Sequence, residues 1–156
     1  MSKTAKFNIH PIGRVHQRNR DAILELEGSY TPGLKHLDDY SHVIVFWWAD
    51  KHDNKKSRSI TQCELPYAPG TTAGVFACRA EYRPNPIAMT VCKILEVDQT
   101  AGKVTIAKID AFDGSPILDL KGYIPVCDRV KDVRVPSWYE GWSEWMPEDG
   151  LGLETD

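Results

Sequence analysis

The sequence predicts a mainly β protein: a small, mostly antiparallel β-barrel of about six or seven strands, with short helices and a C-terminal tryptophan-rich helix. Three observations lead there. About six segments have strand-like composition. Two of them, Ile87 to Val97 and Lys103 to Asp110, flank an Ala101-Gly102 turn and read as a β-hairpin. Helical periodicity is confined to short stretches.

Phe7 to Val15 is a short β-rich run interrupted by Pro11 and Gly13, and Ala22 to Glu27 alternates weakly. Ser29-Tyr30-Thr31-Pro32-Gly33 is a turn, because proline presets φ and glycine permits φ > 0. Leu34 to Tyr40 suits one or two helical turns. Ser41 to Ala49 is a continuous apolar run, expected of a strand buried on both faces. Asp50 to Ser59 is a polar loop. Gly74 to Arg79 reads as a strand, and Ile87 to Val97 places Ile87, Met89, Val91, Leu95 and Val97 on one face. Ile117 to Ile124 is short and mixed. Trp138, Trp142 and Trp145 stand at i, i+4 and i+7 behind Pro136, the spacing of one helix face.

The chain has 156 residues, which predicts one domain spanning 1–156, with 148–156 as a frayed tail. No apolar run approaches the ~20 residues of a membrane-spanning helix. No apolar signal core follows Met1, so a cytoplasmic protein is expected. The net charge is −3, and Glu148, Asp149, Glu154 and Asp156 account for −4 of it. The stretch from Lys51 to Arg58 carries Lys51, Lys55, Lys56 and Arg58 against Asp53, a small basic patch. Cys63, Cys78, Cys92 and Cys127 form no C-x-x-C pair, and no histidine stands at ligand spacing from them. No metal site is expected. Cys78 and Cys92 lie in apolar runs and read as small buried hydrophobes. G-x-G-x-x-G, a phosphate loop and G-x-S-x-G are all absent, which argues against a Rossmann-type nucleotide site.

Two segments stand out chemically. In Cys78 to Ile87, Pro84 and Pro86 have fixed φ, and Arg83 and Asn85 are each held extended by the proline that follows. The result is a stiff loop presenting two arginines and an asparagine, suited to binding with little loss of entropy. It can equally be a connection whose prolines merely end a strand. The second segment, Asp113-Gly114-Ser115-Pro116, is a turn signature, followed by Asp119, Lys121 and Tyr123 at strand alternation. Those three side chains form either an ion-paired structural cluster or a site.

The motifs Arg79-x-x-x-Arg83-Pro84-Asn85-Pro86-Ile87 and Asp113-Gly114-Ser115-Pro116-x-x-Asp119-x-Lys121-x-Tyr123 together resemble the TsaA/TrmO-like family. His10-Pro11-Ile12-Gly13-x-Val15, Gly33-Leu34, Tyr40-Ser41-His42 and Asp128-Arg129-Val130 fit the same pattern in order, over about residues 8 to 146. The resemblance implies an S-adenosylmethionine-dependent methyltransferase on a small β-barrel, usually a homodimer. Such enzymes methylate N6 of threonylcarbamoyl-adenosine in tRNA. It puts cofactor contacts at Asp50, Lys51, Arg79, Met89, Asp113, Gly114, Ser115 and Pro116. Asn85, Asp119 and Tyr123 are the candidates for orienting the acceptor or taking its proton. Arg83, Lys121, Lys55, Lys56 and Arg58 are the candidates for substrate contact. The sequence departs from the family where a His and a polar residue are expected but Asp50-Lys51 stands. It departs again where Gln17 to Asp21 replaces a longer P-R-Q-type segment. Two alternatives remain: a methyltransferase for an acceptor other than tRNA, and a non-catalytic S-adenosylmethionine-binding module.

Overall fold

The computed structural model describes residues 4–153. Six strands close an antiparallel barrel: β1 (Gly13–Gln17), β2 (Ala22–Leu26), β3 (His42–Trp48), β6 (Ile87–Asp98), β7 (Lys103–Ile106) and β8 (Pro116–Gly122). Around the barrel the order is β1-β2-β7-β6-β3-β8, with β8 returning to β1. The short strands β4 (Gln62–Glu64) and β5 (Thr72–Gly74) pair separately as a hairpin. Two single-turn helices, α1 (Lys55–Arg58) and α2 (Pro125–Asp128), lie in connections. The mainly β barrel expected from the sequence is the fold observed.

A six-stranded barrel is narrow, so its interior is filled by side chains rather than by a ligand. Val15, Leu24, Val43, Val45, Trp47, Cys92, Val104, Ile106 and Ile117 fill it and are at most 1% exposed. Burying each of the larger ones contributes about 2 kcal/mol. Trp47 sets the local packing. Its register partners on either side are Ala88 and Ile117. Its Nε1–H donates to Thr90 Oγ1 at 3.1 Å, and Thr90 in turn donates to Asp110. The buried indole donor is thereby satisfied.

That packing decides which face of β6 is the inner one. Ile87, Met89 and Leu95 point outward and are exposed, while Thr90 and Cys92 point in. Alternation identifies two faces but does not rank them. The interior opposite Trp47 has room only for small residues, so the alanine–threonine–cysteine face wins. A register shift between Ile94 and Glu96 then lets Val97 pack against the core.

Three further expectations give way. The strand expected over Gly74 to Arg79 ends at Gly74, where a 3-10 turn (Val75–Ala77) begins. The carbonyls of Val75 and Cys78 accept from Arg83 instead of from a neighbouring strand. The first strand begins only at Gly13, and Phe7 is exposed. Gly13 is required there: a Cβ would sit 2.1 Å from the Glu25 carbonyl oxygen of the paired strand. The tryptophan-rich helix does not form. Only Ser137–Tyr139 makes a 3-10 turn, and Gly141 at φ +85° breaks any continuation. Trp138 packs instead on a second small core of Leu65, Ala73 and Cys78. Trp142 stacks edge-on against Tyr67 and Tyr139. The expected frayed tail is laid against the barrel as far as it is described, with Gly152 over the Lys108 side chain; residues 154–156 lie outside the described residues.

Candidate functional site

The strand directions bring four connections to one end of the barrel. β3 leaves there at Trp48 and β6 enters at Ile87, its register partner. The β7–β8 connection and the β1–β2 turn reach the same end, because Pro116 opposes Arg14 and Ala22 opposes both Gln17 and Ile106. Residues 49–58, 79–86 and 107–115 therefore meet, though they are far apart in sequence.

Side chains link these segments. Lys51 Nζ lies 3.8 Å from the centroid of the Phe112 ring, a cation–π contact between the first and third. His52 Nε2 is 3.4 Å from Glu81 Oε2, joining the first to the second. The Tyr82 ring meets His52 edge-on. His52 Nδ1 faces Ser57 Oγ at 3.4 Å. The Glu81 carboxyl responds to this setting. Partial burial pushes its pKa up, and the Asp110 carboxylate adds to the rise, outweighing the opposing pull of His52 and Lys51.

The two arginines of the first motif have different tasks. Arg83 donates from Nε to Ala80 O at 2.6 Å, and from Nη2 to Val75 O at 2.7 Å and Cys78 O at 2.8 Å. Its guanidinium is a clamp on the loop, so the expected substrate contact at Arg83 becomes a structural one. Arg58 does the same from outside. It donates to Pro84 O at 2.9 Å, to Asn85 Oδ1 at 3.0 Å and to Asp53 Oδ1 at 2.8 Å. The Arg58 guanidinium, followed by the Trp48 indole N–H, holds the Asp53 carboxyl below the usual carboxylate range. Arg79 is exposed, and among the described residues no ion pair engages it.

The second motif is largely a turn that seats the strands. Asp113 Oδ1 accepts from the Gln17 backbone N–H at 2.9 Å. Gly114 takes φ +82°, a conformation that favours glycine, and its N–H donates to Val15 O. Ser115 is buried and donates to Phe112 O at 2.7 Å. Pro116 opens β8 opposite Arg14.

The remaining expected residues are dispersed. Asp119 and Lys121 pair at 3.0 Å on the outer wall of β8. They line an open cleft of about 500 Å³ with Ile9, Phe46, Ile87 and Leu118. Tyr123 follows the end of β8 at the opposite end of the barrel, where its N–H donates to His42 O. Met89 lies on the outer wall across from Phe46. The barrel end thus gathers Lys51, Asn85 and the Asp113 turn, with Asp50 and Arg79 on the segments that lead into it, but not Asp119, Lys121 or Tyr123.

Sequence reasoning missed His52, Glu81 and Asp110. His52 lies two residues beyond the position where a histidine was expected, so an imidazole still reaches this end of the barrel. Glu81 lies inside the first motif, unremarked between its arginines. The shortened Gln17 to Asp21 segment makes a tight turn closed by Arg18 N–H to Asp21 O at 2.9 Å.

The profile of the tRNA-methyltransferase O N-terminal domain matches residues 2–129. The chain belongs to that family. An S-adenosyl-L-methionine-binding protein of Archaeoglobus fulgidus is 37% identical over 121 residues, covering 75% of this chain and 81% of its own. A mouse tRNA (adenine(37)-N6)-methyltransferase is 32% identical over 123 residues, covering 79% of this chain but 28% of its own. The crystal structure of TrmO from Pseudomonas aeruginosa superposes with a TM-score of 0.66 at 26% identity, covering 85% of this chain and 62% of that one. The chain spans less than two thirds of that structure and of the mouse enzyme. Of the residues that meet at the barrel end, Glu81, Tyr82, Asn85 and the Asp113 turn lie within the motifs shared with the tRNA-methyltransferase O family, whereas Lys51, His52, Asp110 and Phe112 lie outside them.

The donor set there suits S-adenosylmethionine. The exposed Arg79 guanidinium, in no ion pair among the described residues, fits a carboxylate, and the Phe112 face already holds a cation. The carboxyls of Glu81 and Asp110 fit hydroxyl, amino or sulfonium groups.

Proposed function

We propose that this chain is the barrel domain of an S-adenosylmethionine-dependent methyltransferase that acts on N6 of threonylcarbamoyl-adenosine in tRNA. Family membership supports the coarser part, a methyltransferase using this cofactor. The observation that carries the site is the meeting of Lys51–His52, Glu81–Asn85 and Asp110–Ser115 at one barrel end.

The cofactor, when bound, supplies a methyl group on an electron-poor sulfonium. The chain has to hold, aim and dehydrate. Arg79 would hold the cofactor carboxylate, and Asp50, Lys51, Phe112 and the Asp113 turn are the other residues that would hold the group. Asn85 orients the acceptor: its Oδ1 is engaged by Arg58, leaving the amide N–H groups to meet a carbonyl oxygen. Transfer to an N6–H releases a proton. Glu81 receives it at the carboxylate oxygen not turned toward His52. In-line alignment of the methyl group with the acceptor nitrogen would supply much of the acceleration.

Saturating S-adenosylmethionine should raise the Tm by roughly 5–10 °C, corresponding to ~2.7 kcal/mol at 100 times the dissociation constant. Absence of any shift removes the cofactor reading. Lys55 and Lys56 are exposed on α1 and are the candidates for tRNA phosphate. Replacing both by alanine should weaken tRNA binding and reduce the slope of log affinity against log salt by about 1–2. Cofactor binding without measurable tRNA binding by the wild type would favour another acceptor; cofactor binding without methylation of any offered acceptor would favour a binding module.

The outer wall of β3 and β6 supports the homodimer. Ile87 is 46% and Met89 40% exposed, beside half-buried Phe46. A second copy covering this wall would remove that apolar surface from water. Light scattering should give twice the chain mass, and Met89→Lys should give monomers. A monomeric wild type at high concentration sinks the dimer.

A further inference from the structure

The two small cores of this protein differ in their sulfur chemistry. Cys92 is sealed inside the barrel, where burial pushes its thiol far above the ordinary range, and it has no sulfur neighbour among the described residues. Cys63 and Cys78 stand together outside the barrel, in the core under the β4–β5 hairpin. Their Sγ atoms are 3.7 Å apart, and both are free thiols. Cys63 projects from the middle of β4 opposite Ala73 and is half-buried; Cys78 is buried directly after the 3-10 turn that follows β5. No backbone element separates the two sulfurs. A covalent bond between them needs a closing movement of about 1.6 Å to reach ~2.05 Å.

We infer that Cys63 and Cys78 are an oxidative modification site, forming a reversible intramolecular disulfide that ties β4 to the start of the Arg79–Asn85 loop. The oxidant is a peroxide. Cys63, the more accessible of the two, attacks one peroxide oxygen as thiolate; the O–O bond breaks and the first water leaves, with Cys63 now a sulfenic acid. Cys78 Sγ attacks that sulfur, the S–S bond forms and the S–O bond breaks, releasing the second water. Two thiols lose two electrons and two protons, and the peroxide gains both. Cys78 serves as the resolving thiol because it is already within contact distance.

The bond would act on a specific segment. The Cys78 carbonyl accepts from Arg83, and Arg83 closes the loop that carries Arg79. Joining positions 63 and 78, which are 15 residues apart, closes a covalent ring around the β4–β5 hairpin and restricts the unfolded chain. Burial raises the Cys63 thiol, followed by an opposing contact from the Tyr82 hydroxyl, so the reaction is slow compared with that of a low-pKa sensor thiol. This inference does not depend on methyl transfer.

The test is hydrogen peroxide titration of the purified full chain, read by intact mass, peptide mapping and thermal melting. The expected product is a monomer lighter by ~2 Da, with the Cys63 and Cys78 peptides joined, and reversed by dithiothreitol. Its Tm should exceed that of the reduced chain by roughly 5 °C. Cys63→Ser should abolish the product, and Cys127→Ser, at the exposed fourth cysteine, should not. If Cys78→Ser fails to fold, the Cys63 variant and the peptide map still decide. The proposal is overturned if Cys63 and Cys78 are recovered as separate thiols, if they oxidise singly with addition of oxygen, or if either links to Cys127.

Discussion

Arg83→Ala is expected to lose about 3 kcal/mol, a fall in Tm of roughly 10 °C, whereas Arg79→Ala should melt with the wild type. The two arginines are four residues apart in one motif, yet the structure gives them opposite duties. Arg83 donates to three backbone carbonyls, of Val75, Cys78 and Ala80. Alanine leaves those half-buried acceptors without a donor, and the loop from Val75 to Asn85 loses its centre. Lysine should recover little, because a compact ammonium cannot reproduce a guanidinium fork that serves three carbonyls. Arg79 is exposed and makes no such bonds, so its removal costs the fold little. Its loss should appear in the ligand instead, as roughly tenfold or greater weakening of S-adenosylmethionine binding, the worth of a charge-assisted hydrogen bond. Thermal melts and titration calorimetry on the two variants separate the outcomes. Equal destabilisation by both substitutions would show that Arg79 is structural too, and would remove the cofactor carboxylate's partner.

Glu81→Gln should lower the methylation rate by about 100-fold or more while leaving the chain folded. The carboxyl is raised by burial first, reinforced by Asp110, and the amide cannot take a proton. In the wild type the rate should rise with pH as Glu81 ionises, at a pH above that of an ordinary glutamate; the variant should lack that limb. Stability provides an independent check. A raised folded pKa favours the protonated carboxyl, so its contribution is present below the ordinary value of 4.5 and is lost as pH rises through the folded value. Glu81→Gln should therefore compare more favourably with the wild type at pH 8 than at pH 4 by thermal melting. A variant with undiminished rate would move proton acceptance elsewhere, with Asp110, whose charge Glu81 feels, the next candidate.

The contrast between the arginines bears on how much of the site was legible beforehand. Both motifs were visible as stiff or turn-forming runs; the first and the Asp113–Pro116 turn of the second lie at one barrel end, while Asp119, Lys121 and Tyr123 do not. Within them, the identity of a residue did not reveal its task. Arg83 and Arg58 point at carbonyls of loops whose positions depend on the whole fold, and hydrogen bonds to backbone leave no trace in spacing. His52 and Glu81 were overlooked for the same reason. Neither stands at a recognisable interval from the other, because they belong to different connections that only barrel closure makes neighbours. The tryptophans mislead in the other direction. Their helical spacing is real, but Gly141 takes a positive φ in their midst, and Tyr67 and the second core bind their rings individually.

By itself the sequence determined that strands dominate, where most of them run, which hairpin joins β6 to β7, and which two connections are stiff or turn-forming. Those properties follow from local composition and from proline and glycine stereochemistry, which act over a few residues. The tertiary structure alone decided that β6 turns Ala88, Thr90 and Cys92 inward, that Arg83 supports while Arg79 is free, and that Lys51, Glu81 and Asp110 share one end of the barrel. The reason is physical: a two-residue alternation has no preferred side until a partner of definite volume, here Trp47, occupies the interior.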